Sequence, residues 1–408
     1  MRRKGVSVTR QGSTAPILDD LGRWPAYASD EIEAVQRVLV SGQVNYWTGQ
    51  EGHLFEQEFA DFVGTAYGLA LANGTVALES AFRALGVTAG DEVVVPARTF
   101  IATASAVVAC GATPIVCDVD VASGNATADL IERAVTPRTK AIAPVHLAGW
   151  PCDMDAIMDL AQSRGLAVVE DCAQAHGAQW NGRKVGSFGD VGAFSFCTDK
   201  IISTCGEGGL VTTDDEALWR RMWEYKDHGR GWDAVRQAAA LGGHEYKPVY
   251  ESFGTNWRMT EMQAAVGRIQ LGKLEGWVAK RRANAAILDE RFAQIDGIRV
   301  VRPPATAGHA YYKYYAYVEP CVLRSGWSRN RILDEVSALG VVCLSGTCPE
   351  IQFEKAFRSI ALGGGVHTPN AALLGETSLM LQVHPTLDES DMHRVADAVE
   401  YVLGVAVS

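Results

Sequence analysis

The alternation of short apolar runs with amphipathic segments between residues 65 and 215 constrains the fold of this chain most strongly. Seven runs are rich in β-branched residues and apolar almost throughout: YGLALAN, DEVVVPA, TPIVCDV, KAIAPVH, LAVVEDC, VGAFSF and GGLVTT. Such strands are typical of a sheet that is covered on both faces. Segments with helical spacing lie between them, and one, DMDAIMDLAQSRG, ends at Gly165. We therefore predict an α/β fold with a mostly parallel seven-stranded sheet between helices.

A change of pattern after Met259 predicts a second domain. A long helical stretch, TEMQAAVGRIQLGKLEGWVAKRRANAAILDERF, is followed by the strand-like YYKYYAYV and a final amphipathic segment, ESDMHRVADAVEYVL. A chain of 408 residues is long enough for a large domain and a smaller one. We predict an N-terminal arm over residues 1–30, a large domain over 31–265 and a small C-terminal α+β domain over 266–408.

The charge and the cysteines limit the classes of partner. A formal charge of −11 disfavours a nucleic-acid or anionic-membrane surface, so we expect neither partner. The nine cysteines form no CxxC pair and no zinc-type cluster, so we expect reduced thiols and no metal site. No apolar segment follows the basic start MRRKG, and we expect a cytoplasmic protein.

Two candidate ligand contacts follow the first strands. Gly74 and Thr75 lie between YGLALAN and a predicted helix, where backbone N–H groups and a hydroxyl can bind a phosphate. An ordinary helix cap explains the same pattern. Phe100 follows DEVVVPA and is placed to stack on a flat ligand, although a core position is the simpler reading of a lone phenylalanine.

Two candidate catalytic residues end later strands. Asp171 closes the apolar run LAVVED, where a buried carboxylate needs a cationic partner, unless it caps a helix. Lys200 comes 29 residues later, between VGAFSF and a glycine cluster. Most lysines are solvated, but burial there would lower the pKa of the amine and make it a usable nucleophile. Ser195, just upstream, adds a possible phosphate donor.

Taken in order, these residues form the set that a pyridoxal phosphate (PLP) site requires. The lysine binds the cofactor as a Schiff base, and the aspartate keeps the pyridine nitrogen protonated. The helix start holds the phosphate, and the aromatic ring fixes the plane of the cofactor.

Four segments carry a resemblance to a known family. EDCAQAHG (170–177), GAFSFCTDKIISTCGEGGLVTTDD (192–215), NGTVAL (73–78) and FGTNWRMTEMQAAVGRIQL (253–271) resemble the DegT/DnrJ/StrS-type sugar aminotransferases. These are PLP enzymes of the aspartate aminotransferase fold, fold type I. The resemblance implies that Lys200 forms the Schiff base, Asp171 pairs with the ring nitrogen and Gln174 contacts the ring hydroxyl. It further implies phosphate binding by Gly74, Thr75 and Ser195, stacking by Phe100, and a phosphate contact from Asn256 of a neighbouring subunit, hence a homodimer with shared active sites.

The resemblance also implies a two-step reaction. L-glutamate, or glutamine, leaves its amino group on the cofactor, and a ketosugar, usually linked to a nucleotide, then receives it. A diphosphate needs basic donors, and a sugar needs polar contacts. The candidates are Arg230, Lys247, Arg258, Lys313, His176 and His309, each of which is also explained by a surface or structural role.

Two alternatives to a nucleotide-ketosugar aminotransferase stay open. One is an aminotransferase that acts on a keto-inositol; the other is a non-catalytic PLP-binding regulator. The sequence assigns no role to Cys197, Thr198 and Asp199.

Overall fold

The computed structural model describes residue 18 and residues 20–241, 248–360 and 367–407. The helices are α1 (Ser29–Ser41), α2 (Glu51–Val63), α3 (Gly74–Ala84), α4 (Ala102–Ala109), α5 (Ala128–Glu132), α6 (Met154–Arg164), α7 (Glu216–Lys226), α8 (Trp232–Leu241), α9 (Glu261–Phe292), α10 (Arg329–Ala338), α11 (Pro369–Thr377) and α12 (Glu389–Ala406). The strands are β1 (Tyr67–Leu71), β2 (Glu92–Pro96), β3 (Thr113–Cys117), β4 (Thr139–Ile142), β5 (Ala167–Asp171), β6 (Gln179–Trp180), β7 (Arg183–Lys184), β8 (Val191–Ser195), β9 (Gly209–Thr213), β10 (Ile298–Val300), β11 (Ala307–Gly308), β12 (Tyr314–Val318), β13 (Cys343–Leu344) and β14 (Ser378–Leu381).

The seven apolar runs form one sheet, as predicted. Its strand order is β1-β9-β8-β5-β4-β2-β3, and only β9 runs antiparallel to its neighbours, β1 and β8. Every residue of β2, β8 and β9 is buried, because helices cover both faces. The predicted helix end at Gly165 is confirmed, since this residue caps α6 with a φ of 64°.

The carboxyl ends of the parallel strands meet at one edge of this sheet. The chain leaves β1, β2, β5 and β8 at that edge, immediately before or at the candidate ligand residues. Open α/β sheets bind ligands at such an edge. The strand order therefore brings together segments that lie far apart in the sequence.

The C-terminal part has its own antiparallel sheet and core. The sheet has the order β10-β12-β14-β13, and α12 and the end of α9 pack against it. Helix α9 is continuous across the predicted boundary at residues 265 and 266 and begins at a capping box formed by Thr260 and Gln263. Ala264, Leu274 and Val278 pack with the large domain, whereas the turns from Ala285 onward belong to the C-terminal core. The boundaries of the domains stay predictions.

The described part of the predicted arm is held by both domains. Leu18 packs in the C-terminal core, and its N–H donates to the carbonyl of Leu339 over 2.8 Å. The indole Nε1 of Trp24 donates to the carbonyl of Lys200 over 2.8 Å. Among the described helices, none has both the length and the apolar character that a membrane crossing requires.

Candidate active site

A cavity of about 780 Å³ opens at the carboxyl edge of the large sheet. The large domain contributes the strand-end segments, and the C-terminal domain closes the opposite wall. The residues that line the cavity from the large domain include Gly74, Thr75, Phe100, Asp171, Gln174, Ser195, Asp199, Lys200 and Glu207, and those from the C-terminal domain include Tyr312, Lys313, Tyr315, Thr347 and Gln382. The cavity therefore collects the candidate cofactor residues of one chain, apart from Asn256.

The start of α3 forms a site for an anion. Asn73 caps the helix by accepting the N–H of Val76, which leaves the N–H groups of Gly74 and Thr75 without an intrahelical acceptor. Ser195 lies against this turn so closely that a Cβ on Gly74 would be 2.5 Å from the Cβ of Ser195. Both readings of this segment are thus compatible: Asn73 is an ordinary cap, and the next two residues present free donors to the cavity.

Asp171 is a buried carboxylate that accepts two hydrogen bonds. Thr103 donates to Oδ2 over 2.8 Å and the N–H of Ala173 donates to Oδ1 over 3.1 Å. No described Lys, Arg or His nitrogen lies within 4 Å of it, contrary to the expectation from sequence. Burial raises the pKa of this carboxyl, and the hydrogen bonds and the charge of Lys200 only oppose that effect. The side chain is suited to a ligand that brings its own positive charge.

Lys200 follows β8 and projects its amine into the cavity. Burial lowers the pKa of the amine, against the opposing charges of Asp199 and Asp171. The amine lies 5.0 Å from the centre of the Tyr312 ring. A lysine in this setting carries less charge at neutral pH than a solvated one and is a better nucleophile.

Phe100 and Gln174 complete the wall around these groups. The ring of Phe100 is 62% exposed and lines the cavity instead of packing in the core, so it is available to stack on a flat ligand. Gln174 accepts the N–H of Ala148 through Oε1 over 2.8 Å, and its amide group remains available as a donor.

The two histidines proposed to contact the sugar lie outside the cavity. His176 is fully buried between the rings of Phe194 and Phe196. His309 is buried and stacked on Tyr311, with the ring centres 3.8 Å apart. Burial lowers the pKa of each imidazole to about 3, so both are neutral. Their positions match the structural alternative, because both side chains are buried and neither lines the cavity.

Three of the other candidates lie on a separate surface. Asn256 is exposed and forms a β-bridge with Asp227, a fully buried carboxylate. Arg258 donates to this carboxylate over 2.5 Å, and Arg230 lies 3.7 Å from it, between the rings of Trp47 and Tyr250. None of the three lines the cavity of its own chain. Lys247 lies outside the described residues.

Lys313 lines the cavity, but its charge is already paired. The ammonium lies 3.2 Å from Oδ2 of Asp199 and donates to Oε1 of Gln382 over 3.1 Å. The hydroxyl of Tyr312 donates to the same Asp199 oxygen over 2.6 Å. Sequence reasoning missed these partners and Thr103. The only signal in the sequence was a charged residue, Lys313, within the aromatic run YYKYYAYV.

The chemistry of the cavity fits PLP. Asp171, which has no ion-pair partner among the described residues, suits a protonated pyridine nitrogen, and the α3 start with Ser195 suits a phosphate. An amine with a lowered pKa and an exposed aromatic ring lie in the same cavity. These are four separate requirements of one cofactor.

Comparison with known proteins agrees with this chemistry. Residues 25–400 match the model of the DegT/DnrJ/EryC1/StrS aminotransferase family. The chain is 36% identical to a UDP-N-acetyl-3-dehydro-α-D-glucosamine 3-aminotransferase of Acidithiobacillus ferrooxidans, over 96% of this chain and 99% of that protein. It is 37% identical to a GDP-perosamine synthase of Caulobacter vibrioides, over 86% and 89%. The crystal structure of an aminotransferase from Psychrobacter cryohalolentis superposes with a TM-score of 0.91, at 50% identity, over 95% and 99%.

Proposed function

The chain belongs to the DegT/DnrJ/EryC1/StrS aminotransferase family, and on that premise we propose that it transfers the amino group of L-glutamate to the keto group of a nucleotide-linked ketosugar. It is a PLP-dependent aminotransferase of fold type I. The observation that carries the proposal is the convergence of Lys200, Asp171 and the α3 start on one cavity. The names of the two relatives, which refer to a UDP-linked and a GDP-linked sugar, support the acceptor class.

Each cofactor residue has a proposed task. Bound PLP supplies an aldehyde that accepts an amine and a ring that takes up electrons from the neighbouring carbon. Lys200 binds the cofactor and, once released, moves the proton at Cα of the amino donor. Asp171 holds the proton on the ring nitrogen, while Gln174 donates to the ring hydroxyl.

Three residues hold the phosphate in this proposal, and one holds the ring. The N–H groups of Gly74 and Thr75 and the hydroxyl of Ser195 bind the phosphate. Phe100 would stack on the ring of the cofactor, and this contact would bury its exposed side chain.

The small number of basic residues in the cavity wall supports a second protomer at the site. Lys200 and Lys313 are the basic residues among the described ones that line the cavity, and Lys313 is paired with Asp199. A diphosphate therefore needs cations from elsewhere. Asn256 and Arg230 both contact Asp227, so a partner subunit that brings Asn256 to the cofactor phosphate brings Arg230 to the same rim. We propose that nucleotide binding depends on this arginine.

Exposed apolar side chains near Asn256 and near the loop at Thr198 support the homodimer. Phe253, three residues before Asn256, is fully exposed. A groove lined by Pro25, Tyr27, Ile32 and other apolar side chains reaches the loop at Thr198. Apolar side chains that are exposed in one chain are available for contact with a second copy.

Mixed dimers test the shared site. Asn256→Ala and Lys200→Ala proteins should each be inactive or nearly so, because one lacks the phosphate contact and the other the amine. A mixed dimer contains one complete site, formed by Lys200 of one protomer and Asn256 of the other, and should regain turnover. Purification through two different affinity tags isolates it. An inactive mixed dimer, or a fully active Asn256→Ala protein, would refute the shared site.

The acceptor is tested by separate half-reactions. Excess L-glutamate should convert the visible absorbance of the lysine-bound cofactor to that of the aminated form. After removal of glutamate, UDP-, GDP- and dTDP-linked ketohexoses and keto-inositols are added one by one. A nucleotide ketohexose should restore the original spectrum. Restoration by a keto-inositol alone would favour the aminocyclitol alternative, and no response to glutamate or glutamine would favour the regulator.

The proposed location is the cytoplasm. All nine cysteines are free, and five of them are buried, as expected for a reducing compartment. Burial raises the pKa of Cys110 to about 11 and of Cys117 to about 12, so these thiols are unreactive at neutral pH. Fractionation of the source cells checks the location, and recovery from outside the cytoplasm would contradict it.

A further inference from the structure

A pair of opposite charges, Asp199 and Lys313, joins the two domains at the wall of the cavity. Asp199 directly precedes Lys200 and comes from the large domain, whereas Lys313 precedes β12 of the C-terminal domain. Only one carboxylate oxygen, Oδ2, contacts Lys313 and Tyr312. These contacts hold the pKa of the Asp199 carboxyl below its usual value, so the side chain is ionised at neutral pH. The two residues are called the Asp199–Lys313 pair below.

Each side chain of the pair has a hydrogen-bonding group that no described residue occupies. The Asp199 side chain is 53% exposed, and its Oδ1 accepts no hydrogen bond from the part of the chain that the structure describes. The ammonium of Lys313 has three donors, of which Asp199 and Gln382 take two. One acceptor and one donor therefore lie side by side on the cavity wall.

The net charge of the pair is zero, which determines the ligand group it suits. A carboxylate or a phosphate placed on Lys313 would lie next to Asp199, and the two negative charges would repel each other. A hydroxyl can donate its proton to Oδ1 and accept from Nζ, so it meets no like charge. Hydrogen bonds to charged groups are stronger than those between neutral groups. The pair therefore suits a neutral hydroxyl.

The position of the pair places such a hydroxyl in the part of the cavity that contains Lys200. The amine nitrogens of Lys200 and Lys313 lie 5.0 Å and 4.6 Å from the centre of the same ring, that of Tyr312. The two amines therefore lie within about 10 Å of each other. Because Asp199 is also the chain neighbour of Lys200, a sugar whose carbonyl carbon lies at Lys200 can place a nearby hydroxyl on the pair. In a ketohexose, a carbon beside the carbonyl carries a hydroxyl or a group that replaces it.

We propose that the Asp199–Lys313 pair recognises a hydroxyl of the acceptor sugar near the carbon that receives the amine, and that the carboxylates of the amino donor do not use it. This inference rests on the proposed function, because it requires a sugar acceptor. It assigns Asp199 and Lys313 to acceptor specificity, and it removes Lys313 from the candidates for the diphosphate.

The two half-reactions of an Asp199→Asn protein separate the substrates. The probe is the nucleotide ketohexose of the panel that reacts fastest with the wild-type protein. Its kcat/KM should fall by about 10- to 100-fold, the loss expected for one hydrogen bond to a charged group. The kcat/KM for L-glutamate should stay the same or rise, because a negative charge has left the cavity. Asp334→Asn, at an exposed aspartate of α10, is the matched control.

Equilibrium binding gives a readout that does not depend on turnover. The parent alcohol of the same nucleotide sugar and its monodeoxy analogues are titrated by calorimetry. The wild-type protein should bind one monodeoxy analogue near the reacting carbon about tenfold or more weakly than the parent. Asp199→Asn should bind the two alike, and so should Lys313→Gln, which serves if the first variant does not fold.

Three results would overturn the inference. Equal losses of kcat/KM in both half-reactions would mean that the pair positions Lys200 and does not recognise the sugar. A loss confined to glutamate would assign the pair to the donor. If the wild-type protein binds every monodeoxy analogue as tightly as the parent alcohol, the pair recognises no hydroxyl. If no nucleotide ketohexose reacts with the wild-type protein, the proposed function itself fails, and the inference falls with it.

Discussion

Replacing Lys200 by alanine is expected to stop turnover, with a fall in rate of at least about 10⁴-fold, and to remove the visible absorbance of the lysine-bound cofactor. In the proposed mechanism this residue supplies both the bond to the cofactor and the base that moves the Cα proton. Lys313, the other described lysine of the cavity, cannot replace it, since it is bound to Asp199 and Gln382. Absorbance spectra and steady-state rates measure the two effects.

The fold should survive this change. Burial lowers the pKa of Lys200, so the charged amine is less favourable in the folded protein than in water, and its removal should not lower the melting temperature of the cofactor-free protein. Lys355→Ala, at an exposed lysine, is the control that should keep activity and absorbance. Residual activity of Lys200→Ala near the wild-type level would refute the assignment of the catalytic lysine.

Replacing Asp171 by asparagine is expected to lower activity by about 10²- to 10³-fold and to make the cofactor-free protein more stable. An amide cannot hold a proton on the ring nitrogen. Burial raises the pKa of Asp171, so its ionisation costs stability as the pH rises above the pKa of the unfolded chain, and asparagine removes that cost at neutral pH. Thermal unfolding with and without PLP, together with steady-state rates, measures both effects.

Glu170, which precedes Asp171, is a control whose substitution should change the stability in the opposite direction. Glu170 is also buried, but hydrogen bonds from His146 and from the backbone of Gly186 and Gly189 hold its pKa below the usual value. Its charge therefore stabilises the fold at neutral pH, and this stabilisation is lost as the pH falls. Glu170→Gln should lower the melting temperature. An Asp171→Asn protein that is less stable than wild type yet active would contradict the role given to this carboxylate.

The fold, and the convergence of the proposed cofactor residues on one cavity, could be predicted because both depend on local sequence. Apolar runs such as those of β2 and β8 identify buried strands, and the edge rule for open sheets then places Gly74, Asp171 and Lys200 together. The family resemblance supplied the roles. Each of these residues lies at a strand end or within a few positions of one, so the local sequence is enough to locate it.

The remaining parts depend on contacts between distant segments. Tyr312, Lys313 and Gln382 reach the cavity only because the C-terminal sheet packs over it, and Asp199 has meaning only beside them. Likewise, nothing local distinguishes the buried His176 from a ligand contact, since its burial results from the way the rings of Phe194 and Phe196 pack around it. A single sequence does not encode such distances in its spacing.

The transfer of nitrogen into a sugar tests the central claim most directly. The protein is loaded with PLP and incubated with ¹⁵N-labelled L-glutamate and the panel of nucleotide ketohexoses, and the products are analysed by mass spectrometry. An aminosugar nucleotide that carries the label is the expected product, and it should be missing with Lys200→Ala. A labelled product from a keto-inositol alone, or 2-oxoglutarate release without any labelled nucleotide sugar, would contradict the proposed function.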